Sequence, residues 1–276
     1  MNEVISYFSS MPVLHRGLIL AGGIAFFWLL ESVKPMFRFD YKKWQHAWIN
    51  IFFTITTIAV NFVMAFVLLM AAEFTTVEGF GLLSLFPEMN FWLYTLIGLL
   101  LLDLIGAYLV HLIEHKTRFL WRFHLIHHTD TWIDTTSANR HHPGESVLRF
   151  VFTAIGVIVL GVPMWMVFLY QSLSVVFSQF THANIALPAK FDRFLSYFFV
   201  SPDMHKVHHH YMLPYTDSNY GNIFSVWDRL FGTFSYLERK DIIYGIDTHM
   251  DPEKHNNLRE LLKIPFTDPY KTNIKK

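Results

Sequence analysis

Three clusters of histidine carry the chemistry in this sequence. The first, His111-Leu-Ile-Glu-His115, separates two imidazoles by four residues. The second, His124-Leu-Ile-His127-His128, and the third, His205-Lys-Val-His208-His209, both use spacings of three and four. On a helix these spacings put the rings of each cluster on one face. Neutral imidazole is a ligand for Fe, Zn, Cu and Ni. Eight such groups from three segments exceed one four-coordinate zinc site and suit two metal ions held close together. The zinc-protease spacing H-E-x-x-H is absent, because the glutamate of HLIEH directly precedes the second histidine. A pair of b-type haems also uses intramembrane histidine, but each haem takes two ligands and gives no reason for H-x-x-H-H.

The elements that must hold these clusters are apolar. Of 276 residues, 53% are hydrophobic and 16% charged, against roughly 25% charged in a soluble domain. The 22 basic and 22 acidic residues cancel, so no global field recruits a nucleic acid. The lack of cysteine excludes disulfides, thiolate ligation and a Cys nucleophile. Residues 17–33, 47–72 and 90–112 each approach or exceed the ~20 apolar residues that cross a bilayer. Residues 47–72 hold no charge at all, which a soluble core hardly accommodates. A fourth apolar zone, 150–180, is broken by Gly161-Val162-Pro163 and reads as two short helices in a hairpin. Strand signals are weak. The expected fold is all-α: a polytopic transmembrane helical bundle with a cytoplasmic histidine-rich cap.

Orientation follows from the loops. Lys34, Arg38, Lys42 and Lys43 lie between the first two helices, whereas 73–89 contains no Lys or Arg. The positive-inside bias places 34–46 in the cytoplasm and 73–89 outside, so every histidine cluster falls on the cytoplasmic side. The stretch before the first helix offers only His15 and Arg16 as a weak basic region, and no small-residue cleavage site follows it, so it is kept as a span rather than a signal peptide. The terminal Asn273-Ile274-Lys275-Lys276 lacks a dilysine in the retention position, which favours a plasma membrane over the endoplasmic reticulum.

The order HLIEH, HLIHH, HKVHH, with apolar helices between, resembles the fatty acid hydroxylase/sterol desaturase superfamily of membrane histidine-box di-iron oxygenases. The likeness extends to Asp103 and Tyr108 before the first box and to Arg140-His141-His142-Pro143-Gly144-Glu145. It includes Thr181-His182-Ala183-Asn184, Asn219-Tyr220-Gly221, and Trp227-Asp228-Arg229-Leu230-Phe231-Gly232-Thr233. It implies N-terminal transmembrane helices over 1–89, a hydroxylase-like domain over 90–240 and a cytoplasmic tail over 241–276.

Carried over residue by residue, the resemblance implies metal ligation by His111, His115, His124, His127, His128, His142, His182, His205, His208 and His209. His141 and His210 adjoin matched positions, so the register within each run stays open. Asp103, Asn184 and Asp228 are candidates to orient the ligands, since metal-bound imidazole usually gives its other N–H to a carboxylate or carbonyl. Asp103 stands about two turns before His111 and roughly 80° around the helix, where it serves either that purpose or helix packing.

The implied cofactors are two iron ions, exchangeable for zinc on purification, with O2 and an external electron-donor protein. The implied reaction is hydroxylation or desaturation of a long-chain lipid: fatty acyl, sterol, alkylglycerol or carotenoid. A haem-binding electron-transfer protein and a non-catalytic metal-binding scaffold are the alternatives. His15 and His46 lie outside the clusters, and their replacement is expected to leave activity largely intact.

Overall fold

The computed structural model describes residues 2–86 and 88–267. Asn273–Lys276, on which the plasma-membrane expectation rests, lie outside the described residues.

Helix α1 (Asn2–Ser9) and α2 (Val13–Val33) are followed by α3 (Lys43–Val77). The third span begins as α4 (Phe91–Asp103), passes through a π-helical turn (Leu104–Leu109) and ends as α5 (Val110–Lys116). Then come α6 (Arg118–His128), α7 (Pro143–Leu160), α8 (Met164–His182), α9 (Ala189–Leu195), α10 (Pro202–His208) and α11 (Val226–Leu230). The short helices α12 (Pro252–His255) and α13 (Leu258–Lys263) close the described chain. Among the described residues there are isolated β-bridges but no strand, so the all-α expectation holds.

Helix α3 is rich in Ile, Val and Thr, which favour strands in water. In a bilayer the backbone must satisfy itself internally, and helix is what a single segment can form. Four helical stretches are long and apolar enough to cross: Val13–Val33, Lys43–Leu85, Phe91–Lys116 and Pro143–Leu160. Their outward faces are bare, with Phe62 82% exposed and Val63 76% exposed on α3. So much unpartnered apolar surface fits lipid rather than water. The inner faces of α3, α4, α7 and α8 enclose a core that includes Leu68, Leu102, Val157, Leu160, Met166 and Val167.

The hairpin forms at the expected bend. Gly161 ends α7 in the left-handed conformation at φ 70°, and Pro163 caps the start of α8. Helix α7 is longer than its apolar run, because it starts at Pro143 with His142 as N-cap. Its first turns therefore carry Glu145 and Arg149 into the protein. At one end of the bundle the ends of α2, α5 and α8 meet the starts of α3 and α7. There the Glu31 carboxylate accepts from the backbone N–H of Thr135 (3.1 Å) and Asn184 (3.0 Å). Residues 241–267 pack onto this end, with Leu261 and Ile264 against Ile49, Phe53, Leu125 and Ile126.

Candidate metal centre

Each histidine box is delivered by a different device. The π-helical turn Leu104–Leu109 sits directly before His111 and shifts the register between Asp103 and the first box. Helix α6 carries the second box in its last two turns, and α10 carries the third, capped by the Ser201 side chain on the Met204 N–H. His182 ends α8.

Nine imidazoles converge as two buried groups. His111, His115, His124, His128 and His208 form one; His127, His182, His205 and His209 form the other. In the first, Nε2 of His124 lies 3.0 Å from that of His111 and 3.2 Å from that of His128. His128 Nε2 is in turn 3.2 Å from His115 Nε2. In the second, His182 Nε2 is 3.1, 3.0 and 3.3 Å from the Nε2 atoms of His127, His205 and His209.

Tautomers decide what these contacts mean. His111 Nδ1 donates to the Tyr220 carbonyl (2.9 Å), and His124 Nδ1 donates to the Glu145 carboxylate (2.8 Å). Both protons are thus on Nδ1, and the two Nε2 atoms face each other at 3.0 Å as bare lone pairs. His182 and His208 follow the same rule, donating from Nδ1 to the carbonyls of Ser178 and Ser218 at 2.7 Å each. His208 Nε2 is buried with no hydrogen-bond partner. Lone pairs aimed at one another repel unless a cation lies between them. With metal–nitrogen bonds of about 2.0–2.1 Å, ligand nitrogens around one ion stand roughly 3.0–3.4 Å apart. The observed separations match, so the residues fit two metal ions.

Burial sets the protonation state. Desolvation, reinforced by neighbouring imidazoles, lowers His124, His127, His128, His205 and His209 well below the usual value. Burial pushes His208 down to about 4. The rings are neutral at pH 7, the form that binds a metal.

The remaining sequence candidates fall elsewhere. His142 is not in either group: its Nδ1 accepts from the Gly144 N–H (3.0 Å) to cap α7, and its ring packs near Phe123. Its neighbour His141 turns inward instead, stacked on His127 at 4.6 Å with Nδ1 2.7 Å from Glu145. Asp103 touches no imidazole; it accepts from the backbone N–H groups of Ile223 (3.3 Å) and Phe224 (3.1 Å). Asp228 accepts from the N–H groups of Tyr220 (2.7 Å) and Gly221 (2.9 Å), and so holds the peptide whose carbonyl orients His111. Asn184 ties the linker after α2, bonding both the N–H and the carbonyl of Phe37. His210 faces away and accepts from the Ile243 N–H at 3.2 Å.

Several residues around the site take roles that the sequence did not assign them. His46, which lies outside the three clusters, is fully enclosed and bonded to Asp130. Arg140, wholly buried, reaches Ile126 O, Asn50 Oδ1, Thr129 Oγ1 and His255 O. Lys206, between two box histidines, donates to the Thr181 and Ala183 carbonyls at 2.7 and 2.8 Å, and burial lowers it to about 7. It pins the end of α8 to α10. Its place inside HKVHH was the only hint.

Residues 95–233 match the fatty acid hydroxylase family model. The chain belongs to that family. It is 28% identical over 129 residues to an ornithine lipid hydroxylase of Rhizobium tropici, covering 47% of this chain and 38% of that one. It is 30% identical over 146 residues to the alkylglycerol monooxygenase of Caenorhabditis elegans, covering 51% of this chain and 27% of the relative. A cholesterol 25-hydroxylase-like protein of Danio rerio is 30% identical over 128 residues, covering 46% and 49% respectively. The chain thus spans less than two thirds of these relatives' lengths. No solved structure matches.

Proposed function

We propose that this chain is a membrane-embedded, O2-dependent lipid hydroxylase with a di-iron centre on the cytoplasmic side. The observation that carries the reading is the 3.0 Å approach of the His111 and His124 Nε2 lone pairs within a buried set of imidazoles. One ion would be held by His111, His115, His124, His128 and His208. The other would be held by His127, His182, His205 and His209, with His141 adjacent. When bound and reduced, the iron supplies the O2 chemistry that oxidises an unactivated C–H bond. In the overall reaction one oxygen atom enters the lipid and the other leaves as water. Two electrons come from a separate donor protein and two protons from solvent.

The chain's own residues do the rest. Carbonyls of Tyr220, Ser178 and Ser218 fix ring orientation, and Glu145 holds the His124 proton. Arg149 bridges the two buried acids behind the first group, at 2.6 Å from Glu114 and 2.9 Å from Glu145. The apolar bundle delivers an alkyl substrate from the bilayer and excludes water. The relatives' names favour hydroxylation of a long-chain lipid such as a fatty acyl, alkylglycerol or sterol lipid, with carotenoid as a further member of the class. A bis-histidine haem is disfavoured: its two ligand nitrogens would stand about 4 Å apart across the ring, twice a metal–nitrogen bond, with no room for a third.

The test is lipidomics of cells with and without the gene, alongside elemental analysis of purified protein. A lipid gaining one oxygen, with close to two ions of iron or exchanged zinc per chain, is expected. One ion per chain, or a Soret band, would overturn the centre.

A further inference from the structure

A cavity of about 330 Å³ lies beside α9, lined among others by Asp192, Arg193, Tyr197, Asp203, Arg229 and Tyr236. That volume is within the range of small-ligand sites, roughly 300–1,000 Å³. Its acids are already engaged. Asp203 receives Arg239 Nε at 2.8 Å on each oxygen, and Asp192 accepts from Ser201 Oγ (2.5 Å) and the Asp203 N–H (3.2 Å). Its guanidinium groups are not paired with acids. Arg193 lies over the Tyr236 ring at 4.9 Å; Arg229 is held between the Phe234 and Tyr197 rings at 4.0 and 4.7 Å, with Nε and Nη2 both donating to the Ser196 carbonyl at 3.3 and 2.9 Å. Neither has a carboxylate within ion-pair distance among the described residues. Stacked on its ring, Arg193 keeps its N–H edge for an oxyanion, and Arg229 adds positive charge at the same wall.

The cavity's surroundings pack against the apolar bundle. Phe199 stacks on Phe177 of α8 at 5.5 Å, five residues and about 7.5 Å along the helix before His182. Phe231 stacks on Tyr108 at 5.3 Å, three residues and about 4.5 Å before His111. Both contacts lie on the lipid side of the histidine clusters. Phe191, Phe194 and Phe198, at i, i+3 and i+7, are exposed on the same segment, as are Leu230 and Phe231. In the proposed membrane placement this apolar rim faces lipid, with Arg193 and Arg229 at the depth of its headgroups.

We infer that the cavity binds the phosphate headgroup of an anionic bilayer lipid, whose acyl chains lie along Phe191, Phe194 and Phe198. The inference rests on the membrane placement and not on the reaction. The test is native mass spectrometry of the purified full chain, equilibrated with equal amounts of phosphatidylglycerol and phosphatidylcholine. Preferential retention of phosphatidylglycerol is expected, falling about tenfold in Arg193→Gln, with phosphatidylcholine retention and the unfolding midpoint unchanged. Equal retention of both lipids by the wild-type protein overturns the proposal, and that comparison needs no variant. Displacement of phosphatidylglycerol by inorganic phosphate at matched concentration also overturns it, as the mark of a free-anion site. A protein that oxidises no lipid yet keeps this preference would sink the proposed reaction and leave the lipid site standing.

Discussion

Nε2 of His46 stands 2.9 Å from both carboxylate oxygens of Asp130, with neither side chain open to solvent. His46 opens the long helix α3, and Asp130 follows the second histidine box by two residues. Asp130 also accepts from Ser137 Oγ at 2.6 Å, and Arg140 lies 3.8 Å away. Burial alone would raise Asp130, but His46 and Arg140 pull it well below the usual carboxylate range. The pair thus clips a membrane helix to the loop between the second box and His141. His46→Ala strands buried carboxylate charge and is expected to cost about 3–5 kcal/mol. Metal content per chain and the unfolding midpoint should both fall, while His15→Ala changes neither.

The two histidines of Arg140-His141-His142 make opposite predictions. His142→Ala removes a helix cap and should cost about 1 kcal/mol with metal retained. His141→Ala should lower metal content or activity. In the third box, His208→Ala and His209→Ala should each lose metal, whereas His210→Ala breaks a bond to Ile243 and ring contacts with Tyr211 and Tyr215, and should retain it. Elemental analysis at matched expression decides; metal loss in His142→Ala with full loading of His141→Ala would reverse the assignment.

The cluster imidazoles predict how stability depends on pH. Unfolded histidine titrates near 6.5, while His208 in the folded chain is pushed down to about 4 and its neighbours are lowered too. Between those values the unfolded chain binds more protons, so stability rises with pH and levels off above about 6.5. The unfolding midpoint of metal-free protein should be lower at about pH 5 than at pH 7, and metal retention should follow the same direction. An unchanged midpoint would count against neutral buried rings.

Asp228 and Asp103 act on the metal end through the backbone. Asp228 also accepts from Thr233 Oγ1 at 2.7 Å, so one carboxylate serves three donors. Asp228→Asn replaces an acceptor oxygen with a donor against two N–H groups and one hydroxyl. We expect it and Asp103→Asn to lower metal affinity or activity roughly 10–100-fold rather than abolish it. Dissociation of metal under a chelator series measures the effect.

Topology can be read in this cysteine-free chain. Ser218 is a poor labelling site, because it is buried and its carbonyl holds His208. Lys240, with its side chain 74% exposed, serves instead. An impermeant thiol reagent on intact cells should label Ser84→Cys and not Lys240→Cys. The reverse pattern would place the metal end outside.

The sequence by itself determined the helices and the chemistry available to them. Uncharged runs such as 47–72 can only be helical in a bilayer, and H-x-x-H-H can only present its rings on one helical face. It also located the bend at Gly161 and Pro163, since each limits the backbone locally. What it left open was which nitrogens meet. The division into sets of five and four splits the second and third boxes between two groups of imidazoles: His124 and His128 go one way, His127 the other. That division depends on how α5, α6, α8 and α10 approach one another, and spacing within one helix carries no information about it. The choice of His141 over His142 is likewise tertiary, because either neighbour could cap α7, and the inward turn is set by Glu145 and His127. The roles of His46, Arg140 and Lys206 were hidden for the same reason: a polar side chain near a helix end looks solvated until another element is folded over it.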